Sequence, residues 1–257
     1  PFYADYARLA NDDTAWNDIA RQFILMEQVA RDPKTGLLYH GWDESRAQRW
    51  ANKITGCSSQ FWARAMGWYG MALVDVLDKF PATHPHRKEL LAILQRYAKA
   101  VTAVQDPGNG LWWDVLNQPR RQGNYPEASA SSMFVYTLAK ASRQGWLPAT
   151  YRQVALKGYQ GLLSRFIHKN SDVSFDFTGT VSVSGLGGKP YRDGSYNYYV
   201  SEPVQTNDPK GMGAFLKAAC EIERSPLLGK GRGITVTLDN YFNHETRVNA
   251  AGLQEVF

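Results

Sequence analysis

Apolar residues recur at helical spacing over most of the chain. From Ala15 to about Ala30, Trp16, Ile19, Ala20, Phe23, Met26 and Val29 fall three and four residues apart, and Asp32-Pro33 stops the run. That pattern predicts a helix with one apolar stripe. Ahead of it, Phe2, Tyr6 and Leu9 read as the tail of a helix that begins before Pro1, and Asn11-Asp12-Asp13-Thr14 as the turn that caps the next one. Further helices are predicted from about Ser58 to Lys79, His86 to Val104, Glu127 to Gly145, Ala149 to His168 and Asn207 to Glu223. Ser58 and Ser59 offer hydroxyls for an N-cap to the first of these, and Phe80-Pro81 ends it.

Two segments depart from this period. Between the last two helices, Val173 to Phe177 and Thr180 to Ser184 alternate as short strands, which predicts a small β-hairpin followed by the loop Gly185-Leu186-Gly187-Gly188. After Pro226, the run Ile234 to Leu238 is strand-like, so residues 226–257 are expected to form a linker or the start of a β-containing extension.

An internal repeat sets the architecture. Asp32-Pro33-Lys34-Thr35-Gly36-Leu37-Leu38-Tyr39 aligns with Asp106-Pro107-Gly108-Asn109-Gly110-Leu111-Trp112-Trp113, each after one helix and ahead of a long loop and another helix. The unit is an αα-hairpin with its long loop always at the same end. Stacked hairpins of this kind form either an open solenoid or a closed double ring, and aromatic-rich long loops gathered at one end favour a ring with a site in its mouth, so the predicted class is all-α, an (α/α)6 toroid over residues 1–225 with a small β-hairpin insertion. About half of the ring is present.

Composition narrows the function classes. Of 257 residues, 44% are hydrophobic, enough for a large buried core. Lys and Arg number 29 against 24 Asp and Glu, a formal charge of +5, with no basic run of the kind that binds nucleic acid. No apolar run is long enough to span a bilayer. Cys57 and Cys220 lack metal-type spacing, and His40, His84, His86, His168 and His244 do not fall into a ligand cluster. The chain opens Pro1-Phe2-Tyr3 with no Met and no leader pattern, which leaves localisation open.

The chemistry concentrates between Tyr39 and Trp68. His40 beside Asp43 is a candidate proton-handling pair, with Trp42 between them and a structural role for the His as the alternative. Trp62 and Arg64, two apart at a helix start, are either an indole platform and a carboxylate-binding fork, or a core Trp with an Arg bonded to a neighbouring loop. Glu127 reads as a helix cap. The polar and aromatic stretch Tyr191 to Tyr199 offers Asp193 as an acid and Tyr198 and Tyr199 as pocket walls, or serves to staple the loop down.

Six ordered motifs, HGWDES, SSQFWARAMGWY, QDPGNGLWWDVL, GNYPEASASSMF, GLGGKPYRDGSYNYYV and NDPKGMGAFLKA, resemble the unsaturated glycuronyl and rhamnogalacturonyl hydrolases of glycoside hydrolase family 88/105, from Pro1 to about Glu223. The resemblance implies a six-hairpin toroid and removal of a 4,5-unsaturated uronic acid from the non-reducing end of lyase-generated oligosaccharides. No metal or organic cofactor is implied. An Asp protonates the C4=C5 bond, water adds at C5, and the hemiketal collapses to release the sugar. By matching position, His40, Trp62 and Arg64 resemble the family's substrate-contacting residues, with Tyr198 or Tyr199 as a wall and Asp43 in support; Trp42 and Asp193 are further candidate substrate-binding residues. The family's proton-donating Asp is expected just before Pro1, which predicts an inactive fragment. The rival expectations are a polysaccharide lyase on the same toroid and a non-catalytic carbohydrate-binding helical scaffold.

Overall fold

A computed structural model describes residues 1–172 and 174–224, together with the backbone at 247–248 and 254–255. The chain divides into two compact units, Pro1–Ile222 and Glu223–Phe257. In the first, helices α1 (Phe2–Ala10), α2 (Asp13–Ala30), α3 (Ala63–Leu77), α4 (Arg87–Ala103), α5 (Ala128–Arg143), α6 (Thr150–Phe166), α7 (Tyr196–Ser201) and α8 (Pro209–Glu223) follow one another. In the second, β5 (Arg247–Val248) and β6 (Gln254–Glu255) pair antiparallel. The predicted strand Ile234 to Leu238 lies outside the described residues.

The amphipathic stripes fix the packing. Helices α1 and α2, α3 and α4, and α5 and α6 pair as hairpins; α3 then lies on α5, while α2 lies on α4 and α4 on α6. Successive hairpins thus stack side by side in two layers, part of an (α/α) toroid. The stripe on α2 places Trp16 and Ile19 inward, and Trp16 meets Phe80 edge-on at 5.4 Å. Helix α5 is enclosed on all sides, with every residue from Ala128 to Ala141 buried. A helix buried all round carries small side chains where its neighbours come close, and its run Ala-Ser-Ala-Ser-Ser does so. On α3, a side chain at Gly67 would strike Met133 of α5, and one at Gly70 would strike the Tyr97 ring of α4. Tyr97 sits over that gap and donates its hydroxyl to Met66 O at 3.1 Å.

The repeat reappears as one turn used twice. Asp32 N donates to Leu37 O and Gly36 N to Asp32 O, both at 2.8 Å; Asp106 N to Leu111 O and Gly110 N to Asp106 O match them, both at 2.9 Å. The aspartate side chain caps the turn each time, and the glycine has φ 75° in one and 74° in the other. Both turns launch their long loops from the same end of the layers.

Three sequence expectations are corrected. Helix α3 starts at Ala63, not Ser58, because Ser58 accepts from Gly41 N and Ser59 donates to Gly194 O, so neither hydroxyl caps the helix. The two alternating runs do not pair with each other. β2 (Phe175–Phe177) pairs with β1 (Ile167–Lys169), which continues straight from α6, and β3 (Thr180–Val181) pairs with β4 (Val204–Gln205). The stretch Tyr191 to Tyr199 is not all loop, since α7 begins at Tyr196 with Ser195 accepting from Tyr198 N.

Candidate functional site

The long loop after α2 returns on itself as a ribbon. His40 N donates to Gln60 O at 3.1 Å, Asp43 N to Gly56 O and Ser58 N to Gly41 O, both at 2.9 Å. The lacing continues from loop to loop. Ala63 N donates to Asp114 O at 2.8 Å, Asp114 N to Tyr125 O at 2.9 Å, and Ala128 N to Gly179 O at 2.9 Å. Side chains projecting from these rungs form an aromatic cluster of their own, apart from the helical core, around Trp62, Val115, Val181, Tyr196 and Tyr199.

His40 stands at the edge of that cluster. Its ring centroid is 4.6 Å from Trp62 and 5.7 Å from Tyr199, and its Nδ1 is 2.5 Å from the Tyr199 hydroxyl. Burial lowers the imidazole pKa to about 4 and raises that of the Tyr199 phenol. The ring is therefore neutral near pH 7 and the phenol keeps its proton. In the tautomer protonated at Nε2, Tyr199 donates to Nδ1 and Nε2–H is left as a donor. A neutral imidazole, an indole and a phenol side by side suit the faces and hydroxyls of a sugar ring.

The other sequence candidates are placed as follows. Asp43 is not a partner of His40; its carboxylate accepts from Ser45 N, Ser45 Oγ and Gln48 N and closes a turn, and those bonds lower its pKa. Trp42 donates Nε1 to Thr55 O at 3.1 Å and covers Gly56, where any side chain would collide with it. Asp193 is exposed and accepts from Ser195 N at 2.8 Å, which lowers its pKa. Tyr198 accepts from Gly185 N at 2.9 Å and packs edge-on against Tyr199 at 5.3 Å.

Arg64 turns inward from the helix start. It is 1% exposed, with Nε donating to Ser129 Oγ at 2.8 Å, Nη1 to Ser182 O at 3.2 Å, and Nη2 to Val181 O and to Glu127 at 3.4 Å. Its guanidinium carbon lies 5.3 Å from the Trp62 ring centroid, so it backs the indole. Glu127, also fully buried, accepts from Ala130 N at 2.6 Å, Ser129 Oγ and Val181 N at 3.0 Å, joining the cap of α5 to strand β3.

Sequence reasoning passed over Asp114. It is fully buried, its Oδ1 accepts from Trp62 Nε1 at 3.0 Å, and its Oδ2 has no partner. Burial, reinforced by the Glu127 charge, raises its pKa well above its ordinary value, which favours the protonated acid behind the indole. The hydroxyl of Tyr125, whose backbone carbonyl receives Asp114 N, is likewise buried without a partner. The signal available in the sequence was an Asp inside the apolar run Leu111-Trp112-Trp113-Asp114-Val115-Leu116.

Comparison with known proteins identifies the family. The profile of Glycosyl Hydrolase Family 88 matches residues 1–226, and the chain belongs to that family. It is 38% identical over 227 residues to Protein Atu3128 of Agrobacterium fabrum, covering 86% of this chain and 96% of the relative. It is 31% identical over 142 residues to the unsaturated rhamnogalacturonyl hydrolase YesR of Bacillus subtilis, covering 55% of this chain and 38% of that protein. Among solved structures, a family 105 glycoside hydrolase from C. acetobutylicum superposes with a TM-score of 0.86 at 45% identity, over 87% of this chain. The chain spans 62% of the length of that structure.

Proposed function

We propose that this member of Glycosyl Hydrolase Family 88 forms one wall of a site for a 4,5-unsaturated uronic acid at the non-reducing end of an oligosaccharide, as part of a hydrolase. The observation that carries the reading is the neutral His40 locked between Trp62 and Tyr199. In it, Nε2–H of half-buried His40 donates to a substrate oxygen, the small exposed part of the Trp62 indole borders the sugar beside it, and Tyr198 flanks the site. Arg64 acts from behind by holding Trp62. Trp42, Asp43 and Asp193 hold the loops that frame the wall.

Hydration of the C4=C5 bond needs a proton for C4 and a water at C5; the hemiketal formed at C5 then opens and releases the next sugar. Asp43 and Asp193 are held ionised as turn caps, and Asp114 is sealed behind Trp62. We assign the proton to a carboxylic acid contributed by residues preceding Pro1 in the whole protein. The test is the fall in absorbance of an unsaturated uronide, followed with the 257-residue chain and with a form extended upstream. Turnover by the extended form alone is expected. Turnover by the short chain would overturn the assignment and turn attention to Asp43 or Asp193.

A further inference from the structure

Three arginines lie against the single segment that brings Tyr199 to His40. The guanidinium carbon of Arg49 is 4.2 Å from the Tyr191 ring centroid, and that of Arg121 is 3.7 Å from the Tyr196 ring centroid. Arg192 donates Nε to Gly187 O at 3.0 Å and lies across Gly185 and Gly188, where an added side chain would meet its guanidinium. Among the described residues, none of the three pairs with a carboxylate, although the same structure makes ion pairs readily elsewhere, from Lys79 and Asp5 to Arg143 and Glu221. The acids of these loops are committed to their own backbone: Asp43 to Ser45 and Gln48, and Asp193 to Ser195. Glu44 and Glu202 complete the acidic groups of the two segments.

The position of these cations matters as much as their number. The tip of the segment packs on the residue after His40, since a side chain at Gly41 would strike Leu186, and Trp50 N is bonded to the Tyr191 hydroxyl at 3.0 Å. The arginines therefore stand on the rim that leads to the wall, with Arg49 and Arg121 exposed and each over an aromatic ring. Arg121 gives Nη1 to Gln118 Oε1 and keeps its other N–H groups, while the Arg49 guanidinium has no hydrogen-bond partner among the described residues, so each presents N–H groups to a carboxylate or sulfate.

We infer that this rim is a second binding site, for an anionic group on the sugars beyond the terminal one, so that the protein takes polyanionic oligosaccharides in preference to neutral ones. The inference rests on the proposed wall only for where the terminal sugar lies. The probe is saturated trigalacturonic acid, which carries carboxylates but no 4,5 double bond, titrated into the full chain beside maltotriose as the neutral control. The acid is expected to bind more tightly, and its affinity to fall as salt rises. Arg49→Ala and Arg121→Ala are each expected to weaken it by about threefold, and Arg49→Lys to recover part of the loss. Equal binding of acid and neutral sugar, failure of the acid to bind, or an unchanged affinity in the double alanine variant would overturn the rim site. Unsaturated digalacturonate tests the wall separately. If Tyr199→Phe and His40→Ala leave its binding unaltered while the arginine variants still weaken trigalacturonate, the wall reading fails and the rim stands.

Discussion

Glu127 ties together three parts of the molecule that the sequence keeps apart, and its removal has a predictable size. Glu127→Ala takes the cap from α5, leaves Val181 N without an acceptor, and strips the carboxylate from a guanidinium that is 1% exposed. The lost cap is worth about 1 kcal/mol. The orphaned buried N–H adds about 1–3 kcal/mol. An uncompensated buried charge is the largest loss, about 3–5 kcal/mol, although Arg64 keeps Ser129, Val181 and Ser182 as neutral acceptors. These losses share the same atoms and do not add in full. A net destabilisation of about 4 kcal/mol is expected, a fall in Tm of about 10 °C for a chain of this size. Glu127→Gln, which keeps an acceptor for Ala130 N or Val181 N, should lose roughly half as much. Urea denaturation gives the free energies, and near-UV circular dichroism reports whether Trp62 loosens with them. A Glu127→Ala protein within about 1 kcal/mol of the parent would refute the reasoning, because no arrangement with Arg64 turned inward could lose its carboxylate so cheaply.

Further outcomes follow from the same contacts. His40 is held neutral below its ordinary pKa, so between about pH 6.5 and 4 the unfolded chain takes up a proton that the folded chain refuses. Its share of stability is present at pH 7 and is lost as the pH falls through that window; His40→Gln should flatten the acid limb of a Tm-against-pH curve, and an unchanged limb would count against it. Asp114 has the opposite sign: its folded pKa is raised, so the penalty grows as pH rises above the unfolded value near 3.8. Asp114→Asn should therefore raise Tm at pH 7 but not at pH 4, whereas Asp114→Ala, which strands Trp62 Nε1, should lower it at both. Gly70→Ala drives a methyl group into the Tyr97 ring and should destabilise by about 1–3 kcal/mol; Tyr97→Phe should fail to rescue it, since the ring as well as the hydroxyl is in the way.

Much of the helical frame was legible because its signal is repeated within each element. The stripe on α2, the Asp12 cap and the paired Asp32 and Asp106 turns each carry several residues that agree with one another. His40, Trp62 and Tyr199 were legible as types of residue, and the structure brings them into one cluster. What was hidden depends on direction. Arg64 sits two residues past the N-cap, and only the later arrival of β3 and Glu127 decides that its guanidinium points inward. Asp114 was hidden because an acid in an apolar run has no sequence mark that tells whether it will be neutral. The strand partners were misread since β1 grows straight out of α6, where the helical pattern masks it, and β4 lies beyond α7, so the pairing of β3 with β4 is not local in sequence.

The backbone lacing of the loops has a wider consequence. Amides at His40, Asp114 and Glu127 are bonded across their own loops, and those of Ala63 and Ala128, at the starts of α3 and α5, to the next loop, although none of these residues belongs to a named strand. Those loops form a collar that opens as one cooperative unit, and hydrogen exchange there should run at the pace of α5 rather than at the pace of surface turns. The exposed tips around Arg49 and Lys189 hang outside the collar. Variation among related chains can then alter the tips, and with them the rim proposed above, while the proposed wall stays in register.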